Sequence, residues 1–133
     1  MRIALIAHDN KKADLVAFVL KRIDFFKRTD VKIMSTGTTG KHILHAGIEN
    51  VECLKSGPMG GDAQIASRLV DGDIDAVLFF IDPLFSHPHE VDIHMLMRLC
   101  NVYDVPLATN YQTASYLIKG FKYEEQKNKK IWD

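Results

Sequence analysis

Cysteine occurs twice in the 133 residues, tryptophan once and proline four times. Two cysteines, Cys53 and Cys100, with no CxxC spacing between them, cannot form a disulfide framework; buried, reduced thiols of an intracellular protein are the expectation. There is no excess charge of either sign, since seventeen basic residues balance seventeen acidic ones. A global field that would draw nucleic acid or an anionic membrane is thereby excluded, and any bound anion must be held by local groups. No apolar run approaches the ~20 residues that a spanning helix needs. The opening MRIALIAHDN is too short in apolar length for a signal peptide and reads as a strand. A soluble, cytoplasmic protein follows as the expectation. The remainder, 47% hydrophobic and 26% charged, is ordinary for a globular chain. Its length suits one domain over 1–133, with a partly solvated tail from about residue 122 in which Trp132 could dock on a neighbouring surface.

Apolar runs alternate with helical patterns. Arg2 to His8, RIALIAH, is too apolar for a strand with one wet face and suits a parallel strand covered on both sides. Leu15, Val16, Val19, Ile23 and Phe26 then recur at helical spacing. VKIMSTG predicts a second strand and TTGKHILHAG a helix ending on Gly47. VECLKS is a third strand, and DAQIASRLVDG a helix capped by Asp62 and stopped near Gly72. DAVLFFID, EVDIHMLMRLCNVYD, VPLATN and TASYLIKGF continue as strand, helix, strand and a helix capped by Thr113. Such alternation predicts an α/β fold: a doubly wound, mostly parallel, five-stranded sheet.

The polar residues fall just after the strands: His8-Asp9, Thr36 to Gly40, Ser56 to Asp62, Asp82 to His89, and Asn110. In open α/β sheets those strand ends share one edge, where ligands bind. STGTTG offers free amides at a helix start, hydroxyls and small side chains, the parts of a phosphate cradle. It lacks the Walker ending and the full GxGxxG pattern, so no nucleotide is indicated; a plain turn capped by threonine fits it as well. Ser56-Gly57 adds a hydroxyl and an approachable amide. Lys12 opposes the dipole of the helix it starts, which a bound anion would justify, although a solvated lysine needs no such reason. His8 at a strand end is read as a hydrogen-bonded structural histidine or a site group. Asp62 is a cap by the bland reading, and a carboxylate beside a glycine-lined space by the other.

DPLFSHPHEVD places Asp82, His87, His89 and Asp92 after the most apolar strand. A metal site is discounted there, because Pro83 and Pro88 stiffen the loop and no zinc-helix spacing occurs. A carboxylate base with a histidine electrophile fits better, as for removing a proton alpha to a carbonyl.

AHDNKK, TGTTG, SGPMGGD, FFIDPL, PHEVD and PLATN, in this order from about Arg2 to Ile118, resemble methylglyoxal synthase. The resemblance implies the methylglyoxal-synthase-like α/β fold and a homohexamer. It also implies conversion of dihydroxyacetone phosphate to methylglyoxal and inorganic phosphate, with no metal and no organic cofactor. It makes Asp62 the base, the glycines giving the substrate room against it, and sets His89 beside the substrate carbonyl with His8 in contact. It assigns Lys12, Thr36, Gly37, Thr38, Thr39, Ser56 and Gly57 to substrate and phosphate binding. Asp9, Asp82 and Asp92 become supporting acids. The tail KNKKIWD departs from some relatives in having no arginine.

Two other classes share parts of this set. A regulatory phosphate-ligand module, such as the allosteric domain of carbamoyl phosphate synthetase, needs the threonine loop and a lysine but has no use for Asp62, His89 and Asp92 together. A triose or pentose phosphate isomerase shares the base, the electrophile and the phosphate loop, and differs in releasing no phosphate.

Overall fold

The computed structural model describes residues 1–84 and 93–132, with side chains described through 127. The predicted alternation is present: β1 (Arg2–Ala7), α1 (Lys12–Lys21), α2 (Ile23–Phe26), β2 (Lys32–Thr36), α3 (Gly37–His45), β3 (Val51–Leu54), α4 (Gly61–Val70), β4 (Ala76–Phe80), α5 (Ile93–Val102), β5 (Leu107–Ala108) and α6 (Tyr111–Trp132). The sheet has the order β3-β2-β1-β4-β5 and every pairing is parallel.

The near-continuous apolar runs of β1 and β4 follow from this order, since both strands are central and covered on two faces. Side chains alternate across a strand, so Ile3, Leu5 and Ala7 join one cluster with Leu15 and Phe18 of α1, Ile43 of α3 and Ile118 of α6. Ala4 and Ile6 enter the opposite cluster with Ile65 and Leu69 of α4 and Leu96 of α5. Burying each large side chain stabilises the fold by about 1.5–3 kcal/mol. The middle of the sheet is therefore rigid, and residues just past its strand ends are held in place. Among the buried polar residues, fully buried Ser35 is satisfied through its Oγ, which donates to the carbonyl oxygen of Leu5 at 3.0 Å.

Several local expectations are corrected. Asp62 is not the cap of α4; Gly60 holds that position, in the left-handed region at φ +102°, and Asp62 lies inside the first turn. Thr113 does not cap α6; Asn110 does, its Oδ1 accepting from the Thr113 amide at 2.9 Å. The first helix is broken at Arg22 (φ −118°, ψ 33°), which lets Phe25 and Phe26 turn into the core. The last helix runs past the expected TASYLIKGF for 22 residues in all, and Arg28 bonds both carboxylate oxygens of Glu125 on it. Of the two thiols expected inside, Cys53 is exposed on edge strand β3 and Cys100 is buried. Burial pushes the Cys100 thiol up to about 11.

Candidate active site

The chain runs outward from β1 to β2 to β3 and then returns to the other side of β1 for β4. The direction of winding therefore reverses between β1 and β4, where helices diverge to opposite faces and leave a crevice at the strand ends. His8 stands there. Its amide donates to the carbonyl of Phe80 at 3.1 Å, and its Nδ1 accepts from the Asp82 amide at 2.9 Å. An accepting Nδ1 carries no proton, so the ring hydrogen resides on Nε2. The ring is buried and meets Phe79 edge-on, with centroids 5.2 Å apart. His8 is thus a hydrogen-bonded histidine that ties the ends of β1 and β4 together.

Asp82 is held from two sides. Its Oδ2 accepts from Asn10 Nδ2 at 3.0 Å and its Oδ1 from the Leu84 amide at 3.1 Å. These donors, Asn10 first, hold its carboxyl below the usual carboxylate range. Asn10, which holds Asp82, was passed over in the sequence. Its signal was present, a side-chain amide inside AHDNKK one position beyond Asp9, but its partner is 72 residues away.

The second group gathers around Gly37. This residue opens α3 with φ +59°, a conformation that a side chain disfavours. A Cβ placed on it would stand 3.7 Å from Ser56 Cα and Cβ and 3.9 Å from Lys12 Nζ. The β1, β2 and β3 exits therefore meet at one point. Thr36 precedes α3 without a side-chain capping hydrogen bond, so the threonine-capped turn is not what forms. The first amides of a helix lack intrahelical partners, and together with the dipole they favour an anion there. Lys12 supplies the full charge; its Nζ lies 2.9 Å from Asp9 Oδ1. Thr39 is buried behind the turn, whereas Thr38 is exposed beside it.

The glycines of SGPMGGD serve the turn itself. Residues Gly57–Met59 form one 3-10 turn, and the Met59 and Gly61 amides both donate to the carbonyl of Ser56, at 3.0 and 2.9 Å. Gly60 is needed for its positive φ. Gly61 is needed because a Cβ there would fall 1.9 Å from the Lys55 carbonyl oxygen. Both glycines are thus required by the backbone of the turn itself. Folding the chain back so tightly sets half-buried Asp62 one residue beyond a point in contact with Ser56, with its Oδ1 accepting from the Ala63 amide at 2.9 Å. Gln64 Oε1 accepts from the Lys55 amide at 2.9 Å and closes the same loop.

Two groups are thus gathered, His8 with Asp82 and Asp9 with Lys12 beside Gly37 and Ser56, and the His8–Asp9 peptide bond joins them; Gly57 follows Ser56 in the chain. His89 and Asp92, with His87, lie outside the described residues. Among the described residues, no group of three or more His, Cys, Asp or Glu could hold a metal ion. No helix among them is long and apolar enough to cross a membrane.

Residues 18–109 match the family model described as the MGS-like domain. A methylglyoxal synthase of Borrelia garinii subsp. bavariensis is 50% identical over 121 residues, covering 91% of this chain and 94% of the relative. One from Lysinibacillus sphaericus is 47% identical over 122 residues, covering 92% and 90%. The crystal structure of methylglyoxal synthase from Elizabethkingia anophelis NUHP1 superposes with a TM-score of 0.79 at 44% identity, covering 87% of this chain and 75% of that one. With its strand ends, glycine turn and threonine loop in this arrangement, the chain belongs to the methylglyoxal synthase family of MGS-like domains.

Proposed function

We propose that this chain converts dihydroxyacetone phosphate to methylglyoxal and inorganic phosphate, working in the cytoplasm as a homohexamer and without a metal or organic cofactor. The observation that carries the reading is the meeting of Lys12 and Ser56 at Gly37, where α3 begins without a side-chain cap. The substrate phosphate docks there, on the amides and hydroxyls of Thr36 to Thr39 and Ser56-Gly57. Asp62, projecting from the adjoining turn, removes a proton from the hydroxymethyl carbon alpha to the carbonyl. The electron pair moves onto the carbonyl oxygen and gives an enediolate. His89 donates a hydrogen bond to that oxygen, a kind of contact whose removal costs about 2.7–4 kcal/mol of barrier. His8, with its hydrogen on Nε2, lies in substrate contact and is oriented by the Asp82 amide.

Elimination completes the sequence. The enediolate oxygen takes up a proton, and the hydroxyl on the deprotonated carbon gives up its own. The pair of that hydroxyl oxygen forms the aldehyde carbonyl, the double bond shifts toward the phosphate-bearing carbon, and phosphate leaves with the electron pair of the broken C–O bond. The resulting enol takes up a proton at carbon to become methylglyoxal. Cleavage requires the C–O bond to stand out of the enediolate plane, overlapping its π system; an isomerase holds it in the plane. Asp9, Asp82 and Asp92 support the site with charge.

The test mixes purified protein with dihydroxyacetone phosphate and EDTA and follows phosphate, methylglyoxal and glyceraldehyde 3-phosphate together. Equal release of the first two, lost by orders of magnitude in Asp62→Asn with substrate affinity kept, is expected. Glyceraldehyde 3-phosphate without phosphate release would make the protein an isomerase, and ligand binding without turnover would make it a sensor. Size-exclusion chromatography with light scattering tests the hexamer, and a monomer would contradict it.

A further inference from the structure

Lys12 already has an anion beside it. Its ammonium is paired with the Asp9 carboxylate at 2.9 Å, with side-chain exposures of 34% and 80%. The pair is local in origin: the Lys12 amide also donates to the carbonyl of Asp9, so one 3-10 turn delivers both charges to the crevice. The same ammonium lies 3.9 Å from the point a Cβ on Gly37 would occupy, at the start of α3. Asp82, the neighbouring acid, is instead engaged by Asn10 and the Leu84 amide. Asp9 is thus the carboxylate that an anion entering at Gly37 encounters on Lys12.

We propose that Asp9 is an internal counter-anion that competes with phosphate for Lys12 and thereby sets how readily the product leaves. This rests on the function proposed above and adds a role for Asp9 within it. Two anions each in hydrogen-bond contact with one ammonium stand roughly 6 Å apart or less, and at that range their repulsion is appreciable in a partly exposed site. The bound phosphate is therefore held less tightly than Lys12 and the helix start alone would hold it. When it departs, the carboxylate resumes its ion pair and Lys12 is not left uncompensated beside the positive end of α1.

Inorganic phosphate is the probe, titrated calorimetrically at low salt into the whole protein, with phosphate inhibition of turnover measured in parallel. Asp9→Asn, and Asp9→Ser as a second charge-removing variant, should bind phosphate about tenfold more tightly. They should be inhibited by correspondingly less phosphate. Asp9→Glu should stay near the parent, and the gain should shrink as salt rises because the pair is exposed. In a Lys12→Ala background the gain should vanish. Unchanged or weaker phosphate binding in folded Asp9→Asn and Asp9→Ser would overturn the proposal and leave Asp9 as a residue that merely positions Lys12. A parent that turns over substrate yet binds no phosphate, with variants that bind none either, would overturn it too. Absence of both turnover and phosphate binding in the parent would refute the functional reading itself, and this inference with it.

Discussion

Replacing Gly61 by alanine puts one methyl group where the fold has no space for it. The added Cβ would lie 1.9 Å from the Lys55 carbonyl oxygen, 2.9 Å from its carbon and 3.0 Å from the Ser56 carbonyl oxygen. All three are backbone atoms, so no side chain can rotate away. Relief requires roughly 1 Å of movement of α4 against the end of β3, which loosens the Gly61 to Ser56 hydrogen bond. Overpacking of this kind costs about 1–3 kcal/mol. Alanine's better helix propensity returns at most about 1 kcal/mol. A melting temperature lower by several degrees is expected, at roughly 3–6 °C per kcal/mol for a chain of this length. Turnover should fall more steeply than stability, since a misplacement of about 1 Å between reacting groups costs about 100-fold. Phosphate release from dihydroxyacetone phosphate, alongside a calorimetric melt, reads both effects. Gly60→Ala is the contrast: nothing lies within 4 Å of its Cβ, but φ is +102°. It should lose about 1–2 kcal/mol through backbone strain and keep more of its activity. Gly61→Ala with parental melting and turnover would refute the packing argument.

Asn110→Ala removes the side-chain cap of α6 and should cost about 1 kcal/mol by urea unfolding, whereas Thr113→Ala should cost less. A thiol reagent at neutral pH should label Cys53 rapidly in the native protein, with Cys100 reacting only after unfolding, because one is exposed and the other buried. The raised Cys100 value means the native state favours the protonated thiol. Its contribution to stability is complete below pH 9 and is lost as pH rises toward about 11. That alkaline loss, on the order of 2 kcal/mol in the parent, should be absent from Cys100→Ala in melts across this range.

The sheet was legible in the chain because burial on two faces demands long apolar runs, and RIALIA and AVLFF are such runs. Composition and periodicity were enough to place the polar loops on one edge, since parallel strands joined by helices end on the same side. Caps were less legible. Asn110, Asp62 and Thr113 are all good capping types, and which one caps depends on where the backbone enters the helix, a matter of one or two residues. Cys53 was misplaced because β3 turned out to be an edge strand, and strand order is not written in any one segment.

The sequence by itself determined the alternation of strand and helix, the two-faced core and the residues available for chemistry, because local propensity and apolar periodicity act over a few neighbours. Tertiary structure decided which of those residues meet. Asn10 finds Asp82, and Asp82 orients His8, only after β4 has paired beside β1. Lys12 reaches Gly37, and Gly37 reaches Ser56, only because β1, β2 and β3 lie side by side. The reason Gly61 must be glycine is likewise a distance to Lys55, set by how the chain turns back on itself rather than by any preference of the residue. These contacts depend on strand order and register, which the core fixes through interactions between segments distant in the chain.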